Sequence, residues 1–267
     1  MSPSLADIDW QRPWLAHWRE QGLQLQASPD WLAAINEVAS ARGLTNARGL
    51  PLRFVAQDSL PPDTGYEAFI HEHGQVPTRD NLHDFFNGLA WLRFPQIKRT
   101  LNALQAAEIQ RRLAMPSAGG SRGRQRDAAT LFDENAALFI CSDPVLIEAL
   151  RAHDWPVVLQ QRAGDFGRCC ELELFGHALI EKLVHPYKAI TAHAWVMAVE
   201  PSWFALGEAE RRTEIDRRLA MQLQAGFTSA DFTPLPVLGV PNWWPDQDAA
   251  FYADTSVFRA KRIRPAS

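Results

Sequence analysis

"NLHDFFNGLAWLRFPQIKR", residues 81–99, sets the frame for the rest of the chain. At about 100° per residue, Leu82, Phe85, Phe86, Leu89 and Leu92 form one apolar stripe. Asp80, His83, Asp84, Asn87 and Trp91 fall within about a third of the circle on the far side. Neither Lys nor Glu appears on that side before Lys98, although exposed helix positions favour them. A tryptophan on a wet face would also leave a large apolar area in water. Both faces are therefore expected to be covered, with His83, Asp84 and Asn87 hydrogen-bonded inside the protein. Such a cluster is either a packing network or a site. His83 and Asp84 point about 100° apart and cannot form a simple pair, so a partner for His83 must come from elsewhere in the chain. His83 and Asn87, four residues apart, are close enough to touch.

Outward from this helix, the composition is that of an ordinary globular protein, with 46% hydrophobic and 22% charged residues. At 267 residues, roughly three quarters of the unfolded surface can be buried without a covalent staple. A net charge of −4 argues against bulk affinity for nucleic acid or for an anionic membrane. Cys141, Cys169 and Cys170 are odd in number, and two are adjacent, which disfavours a disulfide framework or zinc knuckle. The first residues lack a basic segment followed by an apolar one, and no eighteen-residue window is continuously apolar. The expectation is a soluble, cytoplasmic protein.

The pattern predicts an α+β fold: a mostly helical single domain over 1–267, with a small sheet in the second half. Residues 1–60 read as a helical lead-in, 61–245 as the core, and 246–267 as part of an irregular, Trp-rich tail that wraps the body. A helix capped by Ser28 ends near Gly43, residues 50–57 read as a strand, and 59–65 as a loop. A short helix ends at Gly74, and Thr78 or Asp80 caps the opening helix, which Pro95 breaks. Residues 115–127, rich in Gly, Ser and Arg, read as a loop, and 129–140 as a hairpin turning near Glu134 and Asn135. Ser142 caps a helix, "CELELFGHALIEKLVHP" is a strand feeding a helix at Gly176, "ITAHAWVMAVE" is a strand, and an amphipathic helix ends at Gly226.

His177 and Glu181 lie i,i+4 on one helix face. Either the carboxylate orients the imidazole, or both join His193 around a divalent metal, although the spacing matches no H-E-x-x-H signature. Asp133 adds a carboxylate, while Glu134 suits a turn. Arg126 in the Arg-rich loop, and Lys188 with Thr191, are candidate anion binders, with a solvated loop as the alternative. No motif indicates a cofactor.

Four blocks, "VPTRDNLHDFFNGLAWLRFPQIKRTLN", "RDAATLFDENA", "FGHALIEKLVHPYKAITAHA" and "LPVLGVPNWW", resemble a bacterial family known as domain of unknown function 3025. They span most of residues 66–245. The resemblance implies that His83, Asp84, Asn87, Trp91, Lys98, Asp133, Asn135, His177, Glu181, Lys188 and Thr191 belong to the family pattern. Ala136 stands where a glycine is common, and His71 and His73 look peculiar to this chain. No activity, substrate or cofactor comes with it.

The leading expectation is an enzyme that hydrolyses a small molecule at an acid–base pocket. His83 or His177 would be the general base, with Asp84, Asp133 or Glu181 orienting it or serving as a second acid. Asn87, Trp91, Thr191 and His193 would contact substrate, and Lys188 or Arg126 would hold an anionic group. The alternative is a non-catalytic binding or assembly protein in which the buried polar residues are structural and the Trp-rich tail meets a partner. Nucleic-acid binding through the Arg loop is disfavoured by the acidic balance.

Overall fold

The computed structural model describes residues 4–114 and 123–261. Helices lead: α1 (Arg19–Gln26) and α2 (Trp31–Ala41) precede a strand β1 (Arg53–Ala56) and α3 (Tyr66–His73). Gly74, at φ 69°, ends α3 in the left-handed region that glycine adopts without strain. Strand β2 (Gln75–Thr78) follows at once and pairs in parallel with β1, Arg53 opposite Gln75. This two-stranded sheet in the first half is additional to the expected one. Residues 77 and 78 thus belong to β2 rather than to a helix start.

The opening helix, α4 (Leu82–Arg93), is capped by Asn81, not by Thr78 or Asp80: the Asn81 side chain accepts the Asp84 backbone N–H at 2.8 Å. Similarly, Asp30 rather than Ser28 caps α2, and Asp143 rather than Ser142 caps α7 (Pro144–Ala152). In each case the polar residue nearest the first turn reaches its free N–H groups. Pro95 opens the next helix, α5 (Pro95–Ala114), where its missing N–H costs nothing. The N–H groups of Gln96 and Ile97 are taken by the buried Asp216 carboxylate of α9 (Glu208–Gln224), at 3.0 and 2.9 Å.

The expected hairpin over 129–140 is corrected. Helix α6 (Gly123–Asn135) runs directly into strand β3 (Ala136–Cys141). Ala128, Ala129 and Phe132 are buried at helical spacing, whereas all six residues of β3 are buried consecutively. Two different periods abut here, and short apolar runs do not separate them. Residues 123–127, read as loop, form the start of α6, while 115–122 lie outside the described residues.

The main sheet has the order β4-β3-β5-β6. Strand β4 (Cys170–Leu174) pairs antiparallel with β3, and β5 (Thr191–Ala198) pairs parallel with β3 on its other edge. The edge strand β6 (Phe232–Pro236) pairs antiparallel with β5, and holds Pro234 and Pro236 where a missing N–H is tolerated. Between β4 and β5 lies α8 (His177–Lys182). In the tail, α10 (Ala249–Tyr252) helps bury Phe251 and Phe258, and Trp243 packs on Trp14 at 6.2 Å between rings. Buried residues from Ile8 to Phe258 form one hydrophobic cluster. No helix among the described residues is long and apolar enough to cross a membrane.

Candidate functional site

Four helices, α3, α5, α6 and α8, come together at the polar face of α4. Trp91, Asp84 and Asn87 are buried there, so that face is covered, as its tryptophan requires. His83 lies at the rim, with a third of its side chain exposed. Helix α8 supplies His177 and Glu181, and the last turn of α6 supplies Asp133 and Glu134.

The close approach of α8 to the end of α6 depends on Gly176. A Cβ there would lie 2.5 Å from the Asn135 nitrogen and the Glu134 carbonyl oxygen, both backbone atoms. This contact sets His177, the next residue, against Asp133 and Glu134. The two carboxylates sit at the C-terminal end of a helix, where the dipole disfavours negative charge, and no basic residue shares that turn. An offsetting cation has to come from elsewhere.

For Asp133 that cation is Lys98. Its ammonium, nearly fully buried, donates to Asp133 Oδ1 at 2.5 Å and to Asn87 Oδ1 at 2.8 Å. Asn87 Nδ2 in turn donates to the Tyr66 hydroxyl at 3.1 Å, and the Trp91 ring covers Lys98 at 5.6 Å. Burial acts to raise the Asp133 carboxyl, but the Lys98 ammonium beside it holds it below the usual range. Burial raises Glu67 and, more strongly, Tyr66 nearby. The cavity among Tyr66, Glu67, Asn87, Trp91, Lys98 and Asp133 measures about 10 Å³. That is room for one water at most, not for a substrate.

The outer part is built around the two imidazoles. His83 Nδ1 is 2.9 Å from Glu181 Oε2, and His83 Nε2 is 3.1 Å from His177 Nε2. His177 Nε2 is also 3.7 Å from Glu134 Oε2, and its Nδ1 faces Asp133 Oδ2 at 3.9 Å. Burial pushes the His177 imidazole down to about 3, Asp133 opposing and Lys98 and His83 adding to the shift, so it is neutral at physiological pH. Burial raises Glu134. His83, Glu134 and Glu181 each expose between 33% and 39% of the side chain, so this edge is reachable from solvent.

The sequence expectations sort accordingly. His177 and Glu181 share a face, but the carboxylate orients His83, which lies between them. His83 does not bond Asn87, whose amide is held by Lys98 and Tyr66. Asp84 takes the Arg79 backbone N–H at 2.7 Å and its guanidinium at 3.0 Å, closing the start of α4. His193 bonds Asn135 at 2.8 Å and is not in the group of possible metal ligands formed by His83, Glu134 and His177. Lys188 binds Asp254 at 2.9 Å and stacks on Phe251, tying down the tail. Thr191 lines another groove, of about 530 Å³, with His153, Trp155 and Arg259. Arg126 is half-buried on α6, where its charge acts on Glu67. Sequence reasoning passed over Tyr66 and Glu67, and it gave Glu134 to a turn. Recognising 129–135 as helix would have placed two carboxylates at the wrong end of a dipole.

The model of a family described as protein of unknown function (DUF3025) matches residues 52–262. The chain belongs to that family. The DUF3025 match takes in every residue of both clusters, from Tyr66 to Glu181, and leaves α1 and α2 outside. Neither a curated protein nor a solved structure matches this DUF3025 chain.

Proposed function

We propose that the outer cluster is the active centre of a hydrolase acting on a small molecule. The observation that carries this reading is the convergence of His83, His177, Glu134 and Glu181 on one edge that solvent reaches. Glu181 accepts a hydrogen bond from His83 Nδ1–H, which leaves an unshared pair on Nε2. A water at the Nε2 edge is activated there: one O–H bond breaks, its proton passes to Nε2, and the oxygen bonds to the electrophilic atom. The bond to the leaving group then breaks, and that group departs with a proton. The Glu134 carboxyl, 3.7 Å from His177 Nε2, stands on this side and is available to carry it. Asp133, fixed by Lys98, supports His177 from behind.

The reading is tested by assaying generic ester, phosphoester and amide substrates with wild type, His83→Ala and His177→Ala. Turnover by wild type with a loss of about 10²–10⁴-fold in folded variants is expected. Absence of turnover on every class, with wild type folded, overturns it.

A second reading, a non-catalytic binding or assembly protein, draws support from the inner half. Lys98, Asn87 and Asp133 are mutually satisfied and sealed, as a packing network would be. It expects both histidine variants to lose folding and wild type to be inert.

A further inference from the structure

The two imidazoles pose a proton-counting problem. Glu181 draws the His83 proton to Nδ1, at 2.9 Å. His177 Nδ1 is buried without a hydrogen-bond partner, and the Asp133 carboxylate 3.9 Å away is the charge that favours that ring's proton on the Nδ1 side. Both Nε2 atoms then carry lone pairs, and these face each other at 3.1 Å. Glu134 Oε2 stands 3.7 Å from His177 Nε2, adding a third electron-rich atom. Three such atoms turned toward one another repel unless something positive lies among them.

We propose that His83 Nε2, His177 Nε2 and Glu134 Oε2 bind one divalent transition-metal ion, with a further coordination position open on the solvent side. The spacing supports it. Ligand atoms about 2.0–2.1 Å from a tetrahedral ion lie about 3.3–3.4 Å from one another. The separations of 3.1 and 3.7 Å bracket that figure, and one ligand atom from each of the three residues lies within 4.8 Å of the other two. Two imidazoles and a carboxylate suit zinc and its transition-metal neighbours, whereas magnesium and calcium prefer oxygen ligands.

The surroundings support it too. His83 has Glu181 hydrogen-bonded at its other nitrogen, the outer arrangement that fixes a metal-bound imidazole, and His177 has the Asp133 charge 3.9 Å from its own. Asp133 is itself held by Lys98 at 2.5 Å. Among the described residues of this bonded cluster, the carboxylates of Asp133, Glu134 and Glu181 are set against the single ammonium of Lys98, so three negative charges less one positive leave an excess of two. A divalent cation neutralises that excess. Two of these carboxylates stand where the α6 dipole adds further negative potential. His83 and Glu134, each about a third exposed, form the rim through which an ion and its water enter.

This inference deepens the hydrolase reading, on which it rests for the role of the bound water: with the His83 Nε2 pair given to the ion, the ion takes the place of that imidazole in activating the water. Binding and turnover are nevertheless separable. Untagged full-length protein, purified without chelator, is analysed for metals, then stripped and titrated with Zn²⁺ by calorimetry. One equivalent per chain is expected. Binding should vanish in Glu134→Gln and His83→Ala, whose partly exposed sites leave the fold intact by circular dichroism. Glu181→Gln should bind about 10–100-fold more weakly, since it alters only the outer contact. Folded wild type that carries no metal and takes up no Zn²⁺ at micromolar concentration overturns the proposal, leaving a proton shared between the rings. Zn²⁺ uptake unaffected by Glu134→Gln and His83→Ala also overturns it. Stoichiometric binding without turnover on any substrate class leaves the metal site standing and removes the hydrolase reading.

Discussion

The polar network around α4 has two halves made of the same kinds of residue and treated differently by solvent. In the inner half, Lys98, Asp133, Asn87 and Tyr66 are packed under Trp91, and each charge has its partner within hydrogen-bond range. In the outer half, His83, Glu134 and Glu181 remain a third exposed, and carboxylates outnumber cations. A buried charge must be paired or it is not tolerated. A rim charge can stay uncompensated because water screens it, and it is therefore free to meet a ligand. The inner half holds the outer one in place; the outer half is where chemistry is possible.

That division is most severely tested at Lys98. Lys98→Met leaves the Asp133 carboxylate buried without its cation, and should cost about 3–5 kcal/mol in urea unfolding. A loss under about 1 kcal/mol would mean the inner half is not holding the structure. Asp216 sharpens the point, since it is a buried aspartate with backbone N–H groups but no lysine. Burial pushes it up to about 6 from 3.8, despite those two hydrogen bonds. Between these values the folded state binds the proton and the unfolded state does not. Its contribution to stability is therefore full below about pH 3.8 and declines as pH rises through about 6, by at most about 3 kcal/mol. Asp216→Asn should flatten that slope in unfolding curves taken across this window; an unchanged slope would assign it to other groups.

Next in size, Gly176→Ala forces a methyl against the Glu134 carbonyl and should cost about 1–3 kcal/mol in thermal unfolding. It should also spread His177 from Glu134, so ligand binding at the rim should fall more than stability does. The smallest effect is expected at the rim itself. His83→Ala should change stability by less than about 1 kcal/mol, since its pair with Glu181 is partly exposed. A larger loss in denaturant titration would erase the contrast between the halves.

Much of this was legible in the chain. The phase of Trp91 already showed that the polar face of α4 is covered, and the i,i+4 spacing of His177 and Glu181 placed both on one face. Helical phase also required a distant partner for His83. It could not say that Glu181 and His177 both fill that role, because which helix crosses α4 is fixed by packing, not by local pattern. Glu134 was lost to a misread period: an Asp-Glu-Asn run suits a turn, and only the burial of Ala128, Ala129 and Phe132 on one side shows a helix. Strand β2 was hidden for a similar reason, since Gln75–Thr78 has four residues, one of them proline, and gains its pairing from β1. The irregular, Trp-rich tail was expected, but not the edge strand β6, whose prolines argue against a strand except at an edge.

Strand β3 has a consequence for how the molecule is made. Its neighbours arrive late: β4 begins at Cys170, and the parallel partner β5 ends at Ala198, fifty-seven residues beyond Cys141. At roughly 5–20 residues per second on the ribosome, "AALFIC" waits about 3–11 s after its own synthesis for that partner. For that time it is an apolar strand with an open edge, the kind of segment that pairs with the wrong chain. Asp133, Glu134 and Asn135, just before it, are then polar residues flanking the hazard during synthesis, before α8 folds over them.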